Sequence, residues 1–499
     1  MTRRTDRLAG LAVLSTAMGD ASGVHVRADA ARGDELRPDQ WTAGRELIVD
    51  RPQPDAGVIV VADGAASAAA QLEVVCTEVG EAPHGPVWVL WRGWRGAAVR
   101  RVADRAGLVV HASFRCTDSP SSPVHLVREG PGQAMRWFGA SARERWGWRS
   151  RFGSIANQLP GVGRYFFEGR AVMLARPDTT LRWPGGVATG SAPAVLHLAG
   201  GPTSGRVVLT WADASGEPTV HTKVASPAQA DDLRAEFRAL TVLATMGGLD
   251  GSVPRLAQWQ ETPAWLAITQ THLPGRAVHA RAIGPRGRAT AGQDLEDLVD
   301  RWVRDVALAS RSVALGELPT PDQALPVDVA SAFQDPGLTA AVLRGLVVSK
   351  ERPGLVHGDL WRGNVLRAPD GASIRVMDWE SGRVGHALFD LLTWVVTELS
   401  DDAPVGPAVA QVLTVGGDGV VTAKRVRTLL SALDQQLEPD DVEALVLAQL
   451  VLIALEGGPA AATSEARRRE WLAAVAHVWQ SWLRDGSPWR PRTDGGVRS

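Results

Sequence analysis

Residues 357–364 read His-Gly-Asp-Leu-Trp-Arg-Gly-Asn, and a second aspartate, Asp378, follows fourteen residues after the asparagine. The segment therefore offers a carboxylate, then an amide five residues on, then another carboxylate. Phosphoryl transfer from a nucleotide uses such a set of groups. One carboxylate orients or deprotonates the acceptor hydroxyl, while an amide and a second carboxylate hold Mg²⁺ on the phosphates. The types and spacing of these residues thus predict phosphoryl-transfer chemistry.

Three motifs in this region occur in the order found in a known group of kinases. The protein-kinase loop reads H-R-D-L-x-x-x-N and is followed by D-F-G. Here Gly358 replaces the arginine, and residues 378–380 (Asp-Trp-Glu) replace D-F-G. With VMDWE at 376–380 and GHALFDLL at 385–392, the variant resembles the aminoglycoside phosphotransferase and choline kinase family of small-molecule kinases.

The resemblance assigns a role to each motif residue. It implies that Asp359 is the catalytic residue and that Asn364 and Asp378 are the metal ligands. It also implies that Asp390 supports the loop structurally. One position departs from the family pattern, since Ala387 stands where the family often has proline.

Local patterning predicts how these residues are positioned. NVLR and IRVMD read as two short strands, joined by a turn that contains Asp370-Gly371, a hairpin signal. Asp378 then lies at the end of the return strand and faces the loop that carries Asp359 and Asn364. Apolar spacing predicts a helix over 387–399.

A phosphate-binding lobe is predicted upstream, within residues 194–225. Two strands are joined by GGPTSG, and the backbone amides of Gly200, Gly201, Ser204 and Gly205 could approach phosphate closely. A third strand carries Lys223, and the helix over 231–243 carries Glu236. We expect a Lys223–Glu236 pair that steadies the α- and β-phosphates. An exposed strand lysine and a solvated helix carboxylate are the alternatives, with Asp232 a rival to Glu236.

The next strand pair, 253–260 and 265–275, ends in His-Leu-Pro-Gly. In kinases of this type, the segment after the strand meets adenine through backbone N–H and C=O groups. The corresponding residues here are Gln270 to Leu273. Beyond about residue 290 the chain is predicted to be mostly helical, with helices over 294–310, 440–458 and 464–486. Trp471 and Trp482 are predicted to be core residues, with a place in the acceptor pocket as the alternative.

Strands and helices alternate between residues 58 and 114, a pattern typical of a parallel α/β layer. The arrangement resembles part of a methyltransferase fold, but the glycine-rich cofactor loop expected after the first strand is missing. We interpret this region as a degenerate Rossmann-like or helper domain. The predicted fold class is α+β: a bilobal protein-kinase-like fold, with a small β-rich N-lobe and a helical C-lobe, preceded by this small α/β domain.

Length and composition limit the number of domains and the classes of partner that the sequence predicts. The 499 residues carry a formal net charge of −2 and are 45% hydrophobic, so two or three domains are expected and no general attraction to nucleic acid. The predicted domains are 1–180 (α/β, unknown role), 181–275 (N-lobe) and 276–490 (C-lobe), with a disordered tail at 491–499. Two cysteines, no signal-like leader and no membrane-length apolar run indicate a reduced, cytoplasmic protein.

The predicted function is transfer of a phosphoryl group from ATP, with GTP possible and Mg²⁺ required, to a hydroxyl of a small molecule. The alternative is a catalytically silent kinase-like scaffold that binds nucleotide within a biosynthetic or cell-envelope assembly. Presence of Asp359, Asn364, Asp378 and Lys223 favours the enzyme, because a pseudokinase usually lacks at least one of them. The expected partner is a small hydroxylated substrate, with no nucleic acid.

Overall fold

A computed structural model describes residues 6–19, 24–28, 55–80, 82–93, 96–116, 125–129, 169–185, 192–198, 206–278, 290–320, 332–400, 405–413, 418–456 and 465–489. The chain forms two compact units. One comprises Met1–Arg234 with Leu256–His272, and the other comprises Ala235–Arg255 with Leu273–Ser499.

The first unit contains one eleven-stranded sheet with the strand order β1-β2-β3-β6-β4-β5-β7-β8-β9-β11-β10. The pairs β1–β2 and β2–β3 are parallel, and every other neighbouring pair is antiparallel. The strands are β1 (Val24–Ala28), β2 (Gly57–Ala62), β3 (Val87–Arg92), β4 (Val109–Cys116), β5 (His125–Arg128), β6 (Gly169–Ala175), β7 (Val195–Leu198), β8 (Arg206–Ala212), β9 (Pro218–Ala225), β10 (Leu256–Glu261) and β11 (Leu266–Thr271).

Three helices pack on this sheet: α1 (Asp6–Gly19), α2 (Ala65–Val79) and α3 (Ala97–Arg105). α1 contacts β2, β8 and β9. β2 is buried along its whole length because both of its faces are covered. Val58 and Val60 pack with α2 and α3, while Ile59 and Val61 pack in a second core that includes α1. The predicted strands and helices between residues 58 and 114 are confirmed.

The order of these strands differs from a simple parallel layer. β6 lies between β3 and β4 and runs antiparallel to both. The sheet is therefore mixed: β2 and β3 are parallel neighbours, as the predicted layer requires, whereas β4 joins them through the antiparallel strand β6. The segment 169–175 was not predicted as a strand, because its neighbours in the sheet are distant in sequence and local patterning carries no information about such pairing.

The same sheet runs on without interruption into the predicted phosphate-binding strands. Leu11 and Leu14 of α1 share one core with Trp88 of β3, Leu209 of β8 and Val224 of β9. The predicted domain limits at residues 180 and 275 stay a prediction about independent folding. A continuous sheet and a shared core nevertheless show that residues on either side of position 180 pack together.

The second unit is mostly helical. Its helices are α5 (Thr290–Ser310), α6 (Pro336–Glu351), α7 (Leu388–Ser400), α8 (Val405–Leu413), α9 (Asp418–Ala432), α10 (Pro439–Glu456) and α11 (Glu465–Asp485), and α4 (Ala230–Leu243) spans the limit between the units. Short strands form two small sheets, β12-β14-β15 and β13-β16: β12 (Arg276–Ala277), β13 (Gly354–Val356), β14 (Val365–Arg367), β15 (Ile374–Val376) and β16 (Arg383–Gly385).

Most sequence predictions for this unit are confirmed. The three predicted helices correspond to α5, α10 and α11, and the predicted hairpin to β14 and β15. Trp471 and Trp482 are buried, and the Trp482 indole donates to the Leu413 carbonyl, which agrees with a core role. The predicted tail at 491–499 lies outside the described residues. Among the described helices, none is both long and apolar enough to cross a membrane. The α+β fold class is confirmed.

Candidate active site

The loop that carries the predicted catalytic residue follows β13 and is held at its start by Asp390. This residue lies in the first turn of α7 and is 2% exposed. Its two carboxylate oxygens accept from the backbone N–H groups of His357, at 2.7 Å, and Gly358, at 2.9 Å. Burial raises the pKa of Asp390 despite these bonds. The contacts agree with the supporting role predicted for Asp390.

Gly358 occupies a position that only glycine fits. Its φ is +82°, in the left-handed region, and a Cβ atom there would lie 2.2 Å from the Ser381 carbonyl oxygen. Backbone conformation and space therefore both exclude the arginine found at this place in protein kinases.

Asp359 and Asn364 are brought together by side-chain hydrogen bonds. The Asn364 amide nitrogen donates to the Asp359 carbonyl oxygen at 2.9 Å and to its carboxylate at 3.2 Å. Asp359 is 7% exposed and Asn364 6%. Because the amide nitrogen faces Asp359, the amide oxygen of Asn364 remains as a hard donor for a cation.

His357 joins this loop to the segment that leads to Asp378. Its Nδ1 accepts from the Asp359 backbone N–H at 3.2 Å, so a neutral ring carries its proton on Nε2. Nε2 then donates to the Met377 carbonyl oxygen at 2.9 Å. The Met377 N–H in turn donates to the Asn364 carbonyl oxygen at 3.0 Å. These bonds fix Asp359, Asn364 and the residue before Asp378 relative to one another.

Asp378 lies just beyond β15, as predicted, and has left-handed backbone angles of φ 69° and ψ 65°. Carboxylate oxygens of Asp378, Glu236 and Glu380 lie within 4.8 Å of one another. Such a set of oxygens suits Mg²⁺. Sequence reasoning missed Glu380, which stands where D-F-G has glycine. An acidic residue directly after Asp-Trp was the signal available to find it.

Trp379 lies between Asp378 and Glu380 in the sequence and is fully buried. Its ring lies 4.8 Å from that of His357 and 5.9 Å from that of Trp302, measured between centroids. Its indole N–H donates to the Val376 carbonyl oxygen at 3.3 Å. The tryptophan therefore anchors the segment in the core while its neighbours keep their carboxylates at the site.

Lys223 lies on β9, paired with Val208 of β8 and Ile268 of β11. It belongs to the first unit and Glu236 to the second, so the pair predicted between them stays a prediction. The rival Asp232 is exposed and forms an ion pair with Arg206, whereas Glu236 is fully buried.

The predicted nucleotide-binding residues have different outcomes. Gly200, Gly201, Ser204 and Gly205 lie outside the described residues. Gln270 lies in β11, opposite His221, and Leu273 is buried beyond the strand.

The main chain of Gln270 is already in use. The His272 N–H donates to the Thr219 carbonyl at 2.8 Å, and Gln270 lies two residues before it in the same register. Hydrogen-bonded and non-hydrogen-bonded residue pairs alternate along an antiparallel ladder. The Gln270 main chain is therefore expected to hydrogen-bond to that of His221. The base contact predicted for the main chain of residues 270–273 stays a prediction.

One further pair holds the loop. The Arg362 guanidinium forms two hydrogen bonds with the Glu398 carboxylate of α7, and their side chains are 11% and 10% exposed. Arg362 lies between Asp359 and Asn364 in sequence. Sequence reasoning did not single out this pair, since nothing local links a loop arginine to a carboxylate one helix later.

Two solved structures show how far the likeness to known proteins extends. The aminoglycoside phosphotransferase APH(3'')-Id from Streptomyces rimosus, solved with ADP and streptomycin, is 17% identical with a TM-score of 0.32, covering 49% of this chain and 89% of that one. An ethanolamine kinase from Plasmodium vivax is 11% identical with a TM-score of 0.34, covering 57% and 83%. Scores this low do not assign an activity.

A family model gives the more direct comparison. No curated protein matches the chain. Residues 196–418 match the model of the phosphotransferase enzyme family. This range contains Lys223, Glu236, the loop at 357–364 and Asp378, so the family resemblance predicted from the motifs is confirmed as a match over residues 196–418.

Proposed function

We propose that the protein transfers the γ-phosphoryl group of ATP to a hydroxyl group of a small molecule, with Mg²⁺ as cofactor. The observation that carries the proposal is the connected loop at the site. Asp359 and Asn364 are hydrogen-bonded to each other; Asn364 also accepts from Met377, the neighbour of Asp378, and Asp359 is linked to Met377 through His357. Preorganisation of this kind supplies most of the catalysis in phosphoryl transfer.

In this proposal Asp359 accepts a hydrogen bond from the acceptor hydroxyl and takes its proton as the new phosphorus–oxygen bond forms and the bond from the γ-phosphorus to the bridging oxygen breaks, which releases ADP. The Asn364 amide holds the Asp359 carboxylate in place. Asp378 and the amide oxygen of Asn364 would hold Mg²⁺, with Glu236 and Glu380 close enough to Asp378 to contribute. When bound, the ion neutralises charge on the phosphates. Lys223 is proposed to contact the phosphates.

The proposal is tested by incubating the purified protein with ATP, Mg²⁺ and a library of hydroxylated metabolites and aminoglycosides. The readout is the mass gain of one phosphate group. Asp359→Asn keeps the size of the side chain and an oxygen that can accept from Asn364, but it removes the anionic proton acceptor. We expect turnover to fall by about 10²–10⁴-fold with nucleotide affinity nearly unchanged.

Asp370→Asn is the matched control, because Asp370 is an exposed turn residue of the β14–β15 hairpin. Its turnover should equal that of the unaltered protein. Equal turnover of Asp359→Asn and Asp370→Asn would refute the catalytic role of Asp359. Nucleotide binding without phosphorylation of any library compound, together with an Asp359→Asn variant that rescues the cellular phenotype of a deletion, would favour the scaffold alternative.

A further inference from the structure

Helix α7 holds the catalytic loop, residues 357–364, at two places. Asp390, in the first turn of the helix, accepts from the first two backbone N–H groups of the loop. Further along the helix, Glu398 binds Arg362 of the loop. The position of the loop therefore depends on how firmly the start of α7 is itself held.

His386 lies just before α7, within the segment GHALFDLL, and is 1% exposed. Its Nδ1 accepts from the Leu388 backbone N–H at 3.2 Å, and its carbonyl oxygen accepts from the Phe389 N–H at 2.8 Å. The first N–H groups of a helix have no partner within the helix, so these two bonds cap α7. Burial lowers the pKa of His386 to about 4, so the ring is neutral near pH 7, with one acceptor nitrogen and one donor nitrogen.

The donor nitrogen of His386 binds a residue from a distant part of the chain. Nε2 donates to Gln435 Oε1 at 3.0 Å, across 49 residues of sequence. Gln435 lies just after α9 and is 9% exposed. Its N–H donates to the Leu430 carbonyl oxygen at 2.9 Å, and Arg311 donates to the carbonyl oxygen of Leu433. The His386–Gln435 bond thus joins the start of α7 to a fixed point at the end of α9.

Capping alone does not require a histidine. A helix start needs an acceptor, which serine, aspartate and asparagine supply with a shorter side chain. The ring of His386 adds a donor nitrogen on its far side, and this nitrogen is used on Gln435. The two side-chain hydrogen bonds of His386 therefore have separate effects: one caps α7, and the other fixes where α7 begins relative to α9.

We infer that His386 and Gln435 are positioning residues for the catalytic loop, which they hold through α7. The inference rests on the proposed function, in which Asp359 takes the proton of the acceptor hydroxyl. Without the His386–Gln435 bond the first turn of α7 is free to shift, and Asp390 carries the backbone just before Asp359 with it. Displacement of a reacting group by about 1 Å costs about 10²-fold in rate.

Two variants of His386 separate its hydrogen bonds. The Oδ1 atom of asparagine takes the place of Nδ1, so His386→Asn keeps the cap and loses the bond to Gln435. The Nε2 atom of glutamine takes the place of the ring Nε2, so His386→Gln keeps the bond to Gln435 and loses the cap. Each variant loses one hydrogen bond, and its thermal midpoint should fall by roughly 2–4 °C. The kcat of phosphate transfer should fall about 10- to 100-fold in His386→Asn alone, with KM unchanged.

Gln435→Met breaks the same bond from the other side. It removes the acceptor, and its kcat should equal that of His386→Asn. The variant with both changes should lose no more, because each change breaks the same bond. Asp335→Ala is the matched control, since it removes the cap of α6, where the Leu338 N–H donates to Asp335 at 3.0 Å. It should lower the thermal midpoint and leave kcat unchanged.

Amide hydrogen exchange gives a second readout, which needs no acceptor molecule. Exchange of the His357 and Gly358 N–H groups should become about tenfold faster in His386→Asn and in Gln435→Met. It should stay unchanged in His386→Gln and in Asp335→Ala. If His386→Asn does not fold, Gln435→Met decides.

Equal losses of kcat in the two His386 variants, or an unaltered kcat in Gln435→Met, overturn the inference while the proposed function stands. Where the unaltered protein phosphorylates no acceptor, the proposed function is overturned, and exchange alone decides the inference. Faster exchange in Gln435→Met then supports the hold of His386 and Gln435 on the loop, and unchanged exchange overturns it.

Discussion

The ion pair between Arg362 and Glu398 offers the sharpest test of how the catalytic loop is held. Both side chains are about nine-tenths buried, and their contact is a paired set of two hydrogen bonds. Arg362→Met removes one charge and leaves the other buried alone, and Glu398→Gln does the converse. Removal of one partner of such a pair costs about 3–5 kcal/mol of unfolding free energy. The double variant leaves neither charge alone.

We therefore expect each single variant to be destabilised by about 3–5 kcal/mol and the double variant by clearly less than the sum. The expected coupling is about 2–3 kcal/mol, measured as a double-mutant cycle by urea unfolding. Turnover is the second readout. Because Arg362 lies in the loop between Asp359 and Asn364, loss of its anchor displaces the reacting groups, and turnover should fall about 10- to 100-fold.

A second ion pair in the same unit serves as the control. Arg425 of α9 contacts Asp300 of α5, at 2.6 Å between Nη2 and Oδ1, and neither residue lies in the loop. Asp300→Asn should lower stability and leave turnover of the folded protein unchanged. Additive free energies for Arg362→Met and Glu398→Gln would refute the buried pair, and a loss of turnover in Asp300→Asn equal to theirs would refute the anchoring argument.

Three further predictions concern single positions. Gly358→Ala should abolish turnover and lower stability, because its Cβ would lie 2.2 Å from the Ser381 carbonyl oxygen. Gly371→Ala is also at positive φ, but its Cβ would meet only an ordinary contact, 3.9 Å from Arg367 Nε, so it should cost about 1 kcal/mol in urea unfolding and keep turnover. Asp378→Ala should abolish phosphate transfer at every Mg²⁺ concentration with an unchanged circular dichroism spectrum; full activity would exclude this metal site. Leu14→Ala, in the core shared by α1 and the sheet, should lower the unfolding free energy by about 2–5 kcal/mol, and a loss below 1 kcal/mol would show that α1 is not part of that core.

The site could be predicted from sequence largely because its parts are local. The loop from His357 to Asn364 and the hairpin that ends at Asp378 lie within about twenty residues, so short strands and a turn fix their relative positions. Asp390 follows on the next helix. Each of these elements has its own patterning signal, and the hydrogen bonds of His357 to Asp390 and Met377 join elements that lie in one continuous stretch of about 35 residues.

The features of the fold that could not be predicted from sequence depend on contacts between distant parts of the chain. β6 enters the sheet between β3 and β4, although many residues separate it from both. The apolar run of α1 becomes a buried helix only because the sheet supplies a surface for it. Neither outcome has a local signal. The use of the Gln270 main chain by β9 is of the same kind, since it follows from register across strands and not from residue type.

The backbone at Asp378 links fold and function most closely. A non-glycine residue with φ 69° and ψ 65° costs free energy, and such conformations persist only where the surroundings fix them. Two constraints do so here. The Met377 N–H is bound to Asn364, and Trp379 is fully buried against His357. The fold thus holds strain at Asp378, whose carboxylate is proposed to bind the metal. A glycine would relieve that strain and remove the carboxylate, so under the proposed function an aspartate at this position trades backbone stability for a metal ligand.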